Sequence, residues 1–148
     1  MRIDLLSTLG DIFVEQTLWE QASVVYREIL DCCVSRSGEA HPSSLAAQGD
    51  LAIVLFELGQ SAEAIFLEAQ ALERANIHLG PLHSVTSILA WNIALRHEHC
   101  GDFASSSRII ADDLSWLLTI EDAGLDQDQQ TIKALLSRRL SWDAASAC

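Results

Sequence analysis

Residues 49–72 read GDLAIVLFELGQSAEAIFLEAQAL. Leu51, Ala52, Leu55 and Phe56 recur at the spacing of one helical face, Gly59 breaks the run, and Ala64, Leu67, Ala71 and Leu72 resume it. Two apolar stripes split by a single glycine describe an αα-hairpin with a short turn. The same hairpin recurs on either side. Upstream, Leu5, Leu6, Leu9, Gly10 and Phe13 precede Trp19, Ala22, Tyr26, Ile29 and Leu30; downstream, Ile88, Trp91, Ile93, Ala94 and His97 precede Gly101, with Phe103, Ile110, Leu114 and Leu117 after it.

The register of these units is 42 residues, since Gly10, Ala52 and Ala94 are spaced by that number, as are Thr17, Gly59 and Gly101, and Ala22, Ala64 and Ser106. The linkers keep the same period: Ser37-Gly38-Glu39-Ala40-His41-Pro42 returns as Leu79-Gly80-Pro81-Leu82-His83-Ser84. An internal period of this length means a stacked solenoid, a class that presents long concave surfaces to other chains. The small residues at the first and third sets of positions let paired helices approach closely. A fourth segment, Gln129 to about Leu140, places Ile132, Leu135, Leu136 and Leu140 on one face and reads as a cap over the last hairpin.

The pattern Leu-x-x-Leu-Gly-x-x-Phe, followed by Trp19, Ala22 and Tyr26, resembles the tetratricopeptide repeat. The longer period, the Gly-x-x-His-Pro linker and the triplets Asp50-Leu51-Ala52 and Asn92-Ile93-Ala94 are similar to the kinesin light chain variety, over roughly residues 3–121. The resemblance implies an all-α fold: a right-handed αα-hairpin solenoid of three repeats, at about 3–36, 44–78 and 86–121, with a C-terminal capping helix at about 128–141, all in one domain over 1–148. Departures are Thr17 at the first turn glycine, Ser84 at the linker proline, and His97 where a large apolar residue is usual. The last linker, Ala123 to Asp128, is out of register by about two residues.

Composition narrows the function. Both prolines, Pro42 and Pro81, sit in linkers, leaving helix interiors unbroken. The longest apolar run, Leu51 to Phe56, is far too short to span a bilayer, and Asp4 and Asp11 stand where a signal peptide needs an apolar stretch. A cytoplasmic, reducing setting is therefore expected, with Cys32, Cys33, Cys100 and Cys148 as free thiols, because their spacing gives neither a disulfide framework nor a metal motif. A net charge of −12 argues against nucleic acid and for basic partners.

In such repeats the first helix of each hairpin lines the groove. The groove positions are then Asp11 in the first unit, Asp50, Ile53, Phe56 and Glu57 in the second, and Trp91, Asn92, Leu95, Glu98 and His99 in the third. An apolar strip flanked by carboxylates suits a peptide with an aromatic or aliphatic anchor and basic neighbours. The resemblance further implies that Asn92 holds the ligand's backbone through its amide, Asp50 occupying the same position one unit earlier. Three other readings stay open. Phe56 and Trp91 can pack against a neighbouring repeat or the chain's own tail, Ser141 to Cys148, with Trp142 as anchor; the chain can be a homo-oligomer, with Lys133, Arg138 and Arg139 docking into another copy's groove; or it can be a sensor module of a larger signalling assembly.

An enzyme would need a constellation, for which Asp11, Asp50, Glu57, His97 and His99 are the first candidates, but no phosphate loop, nucleophile elbow or paired-histidine zinc motif is present. Neither a catalytic residue nor a cofactor is expected. His41 and His83 recur with the linker, which marks them as turn-forming residues.

Overall fold

Helices here start and stop where local chemistry dictates. The structure, a computed structural model, describes residues 2–147. It contains α1 (Arg2–Glu15), α2 (Trp19–Ser37), α3 (Pro42–Glu57), α4 (Ser61–His78), α5 (Ser84–His99), α6 (Phe103–Ile109) and α7 (Gln127–Ser146), with no strand among the described residues. His41 Nδ1 accepts the backbone N–H of Ser43 at 3.2 Å, and His83 Nδ1 accepts that of Val85 at 3.1 Å. Each histidine caps an otherwise orphaned donor at the start of a first helix, so the repeated His is a structural device, as the linker period implies. Inside the hairpins, Gly59 and Gly101 turn the chain at φ 81° and 79°, and Thr17 does the same at φ 57°.

Packing follows the period. Ala22, Ala52, Ala64, Ala94 and Ser106 are all buried, and a Cβ on Gly10 would lie 3.0 Å from Cε2 of Tyr26. These positions are where helices of a pair touch. Two core clusters result. One joins Val25, Tyr26, Ile29 and Cys33 of α2 to Leu51, Val54 and Leu55 of α3; the other joins Ala71, Leu72 and Ala75 of α4 to Leu89 and Ile93 of α5 and on to Leu114, Leu117, Ile132 and Leu136. The result is an all-α helical repeat solenoid.

The C-terminal third departs from expectation in three ways. The second helix of the third hairpin is not continuous. It ends at Ile109, becomes a π-helical turn over Ile110–Leu114 and a 3-10 segment over Ser115–Thr119, which carries both Leu114 and Leu117 into the core; Phe103, at the start of α6, is exposed. Asp126, not a histidine, then caps α7: its side chain accepts the N–H of Gln129, whose own side chain reaches back to the Asp126 N–H. The cap positions are 41, 83 and 126, steps of 42 and then 43, so the slip is one residue rather than two. Finally, α7 runs to Ser146, well past residue 141, with only Ile132 and Leu136 of its expected apolar face buried; Leu135 and Leu140 are exposed. A helix cannot be a loose tail. Residues 141–146 therefore do not fill the groove, and Trp142 stands 75 % exposed; Cys148 lies outside the described residues.

Candidate functional site

The residues named from sequence divide into three groups in space. Asp50 and Asn92 line a single cleft between α3 and α5, about 110 Å³ in volume, whose walls are Ala46, Gly49, Val85, Ile88 and Leu89. The cleft exists because α3 and α5 nearly touch at its base, where a Cβ on Gly49 would lie 2.9 Å from Cδ2 of Leu89. Asp50 keeps an exposed edge but is ringed by protein, and that desolvation, with the charge of Asp11 second, pushes its pKa up to about 6. Asp11 itself accepts a 2.9 Å hydrogen bond from Oη of Tyr26, which turns it toward α2. Burial together with Asp11 raises the phenol's pKa well above its usual value.

The second group surrounds Phe56. The His99 ring meets it edge-on, centroids 5.8 Å apart, and the Arg96 guanidinium lies over its face at 4.9 Å. Arg96 adds a cation beside the strip that the sequence reads as apolar and flanked by carboxylates. It occupies the position 42 residues after Val54 and reaches within 3.9 Å of Oε1 of Glu68, a fully buried residue of α4. Neither Glu68 oxygen has a hydrogen-bond partner, nor has Arg96 Nε. Burial raises the Glu68 pKa to about 7, and the Arg96 charge opposes that rise without cancelling it. Sequence periodicity could not reveal this cluster, because Glu68 lies on the second helix of its hairpin, outside the residues read as groove-lining.

The remaining residues do not line the cleft that Asp50 and Asn92 share. Glu98 accepts from Ser106 Oγ at 2.7 Å and pairs with Arg139 of α7. Lys133 pairs with Asp122 at 2.8 Å. Two of the three cations expected to dock into another copy are thus engaged within their own chain. Trp91 is half-buried against the second core cluster, Ile53 and Leu95 are half-buried, and Glu57 is exposed. His97 lies 3.2 Å from Asp102 and does not converge with His99, which bonds back to the Leu95 carbonyl.

Among the described residues, no three His, Cys, Asp or Glu side chains are grouped to hold a metal, and no helix is long and apolar enough to cross a membrane. Cys32, Cys33 and Cys100 are free thiols. Residues 2–77 match a family model described as tetratricopeptide repeat. No curated protein matches the chain.

Proposed function

This chain belongs to the tetratricopeptide repeat family, whose repeats mediate protein–protein contacts, and from that premise we propose that it is a non-enzymatic adaptor binding an extended peptide along α3 and α5. The observation that carries the reading is the cleft that brings Asp50 and Asn92 to one opening. Its apolar walls suit a small aliphatic anchor. Asn92 offers both a donor and an acceptor to a peptide backbone, and a crowded carboxylate such as Asp50 gains most from a cation beside it. A basic ligand residue next to the anchor supplies that cation, consistent with the net charge of −12. Phe56 takes a different role from a bare anchor site. Arg96 and His99 already cover its ring, so a ligand meets a composite surface there.

Selection from a peptide library, followed by fluorescence anisotropy on the best binder, tests this. Asp50→Lys is expected to abolish binding while leaving the helical circular dichroism unchanged. Binding should also strengthen roughly tenfold between about pH 5 and pH 7 as Asp50 ionises, because the charged form is the one that holds the cation. Unchanged affinity in Asp50→Lys would place the ligand elsewhere.

A further inference from the structure

Glu68 and Arg96 stand where the other units of the solenoid place uncharged side chains. At the 42-residue register Glu68 answers to Tyr26 in the first unit and Ile110 in the third, and Arg96 answers to Ile12 and Val54. An acid on α4 and a base on α5 thus enter together. Their meeting is not an ordinary ion pair. Glu68 is 0 % exposed, Arg96 Nη2 stands 3.9 Å from its Oε1, and neither carboxyl oxygen nor Arg96 Nε has a hydrogen-bond partner. A buried carboxylate left in that state is costly, and a carboxyl that keeps its proton escapes most of the cost. The same guanidinium lies over the Phe56 ring at 4.9 Å, so it is shared between an acid in the core and an aromatic face on α3.

Among the described residues, Arg96 is the charge that acts on Glu68. The helix that carries Glu68 packs on α3 and α5, whose other titratable groups are engaged or exposed elsewhere. On α3, Asp50 opens into the cleft with Asn92 and Glu57 is exposed. On α5, His97 lies against Asp102, Glu98 pairs with Arg139, and His99 meets Phe56 edge-on. Burial raises the Glu68 pKa and Arg96 pulls it back, to about 7, which brings both states of the pair within reach of neutral pH. With the proton on, Arg96 is an unneutralised cation over Phe56. With it off, the two charges cancel, and closing the gap to a charge-assisted hydrogen bond moves the guanidinium by about 1 Å.

We propose that Glu68 and Arg96 form a proton-operated charge switch beside Phe56: a proton on Glu68 leaves Arg96 as a bare cation over the ring, and its loss neutralises the pair and draws Arg96 toward α4. The consequence for a ligand rests on the peptide groove proposed along α3 and α5. There a basic ligand residue near Phe56 meets a like charge in the protonated state and a neutral pair in the other, so its affinity rises as the proton leaves.

NMR of the full chain, with labelled glutamate carboxyl carbons and phenylalanine rings, reads the switch without any ligand. The Glu68 carboxyl and the Phe56 ring are expected to titrate together with one midpoint near pH 7. Glu68→Gln should abolish the Phe56 step. Arg96→Met, which restores the apolar character of this register position, should move the Glu68 midpoint higher and uncouple the ring from it. His99→Gln should leave both steps in place, separating the switch from the imidazole that also touches the ring. A Glu68 midpoint in the ordinary carboxylate range, or a Phe56 step that survives Glu68→Gln, would overturn the proposal. With the library-selected peptide, affinity should keep rising to about pH 8 in the parent and level off near pH 7 in Glu68→Gln. A peptide indifferent to Asp50→Lys would move the groove and leave the Phe56 titration standing, whereas a Phe56 ring blind to Glu68 would end the switch whatever the peptide does.

Discussion

Thr17 is the one described residue other than glycine with a positive φ, and it carries a β-branched side chain into a conformation that disfavours one. The equivalent turns use Gly59 and Gly101 at the same job. Relief of the left-handed cost, about 1–2 kcal/mol, outweighs the extra freedom glycine gives the unfolded chain, so Thr17→Gly is expected to stabilise by about 1 kcal/mol in thermal melts. A lower melting temperature would show that the Thr17 side chain contributes a contact that outweighs the strain. Glu68 makes the opposite kind of local sacrifice. Folded, it keeps its proton to about pH 7; unfolded, it gives it up near its ordinary value of 4.5. Between those values the native state binds more protons, so stability falls as pH rises from about 4.5 and the loss is complete above about 7, on the order of 3 kcal/mol. Glu68→Gln, which mimics the protonated acid, should flatten urea-unfolding stability between about pH 5 and pH 8 and exceed the parent at the alkaline end. A variant that kept the parent's slope would shift the cause to another group.

At the scale of elements, the approach of α3 to α5 decides whether the candidate cleft has its shape. Gly49 sits at that approach, where an added Cβ would lie 2.9 Å from the tip of the buried Leu89 side chain and force it to shift. Gly49→Ala is expected to cost about 1–3 kcal/mol from overpacking, reduced by up to about 1 kcal/mol of helix propensity. In the Leu89→Ala background the overpacking should vanish, so the two effects are non-additive in a double-mutant cycle. Additive costs would mean that the helices do not touch there. His41 and His83 were legible in advance as turn-forming residues, because they recur with the linker; that each caps a helix by accepting the N–H two residues on is what the structure adds. The π-helical turn after Ile109 was not legible. It answers to the need to place Leu114 and Leu117 against α7, a contact with residues well beyond the turn itself.

Across the whole molecule, contacts run between neighbouring units, so a lesion at one end is expected to stay there. Leu136 is 1 % exposed where α7 joins the second core cluster, and Leu136→Ala should cost about 2–5 kcal/mol. Hydrogen exchange should accelerate in α5 to α7 and remain slow in α1 and α2. Uniform acceleration would instead mean that the solenoid opens as one unit. The same nearest-neighbour logic ties Arg139 to Glu98 and Lys133 to Asp122. In this chain both cations are engaged at the seam of the cap.

The sequence alone determined the helical hairpins, their 42-residue register, the close-packing small residues and the recurring linker histidines, because each is set by interactions within a few residues or by a pattern that repeats. It also marked Asp50 and Asn92 as equivalent positions in successive units, though not the cleft they share. Tertiary structure decided the rest: the Arg96 cover on Phe56, the buried Glu68 that faces Arg96 without a hydrogen bond, and the exposure of Leu5, Leu9 and Ile12 on α1. Each of these depends on which side chain of one unit meets which of the next. That is a matter of helix rotation and burial, which charge and hydropathy along a single chain do not encode.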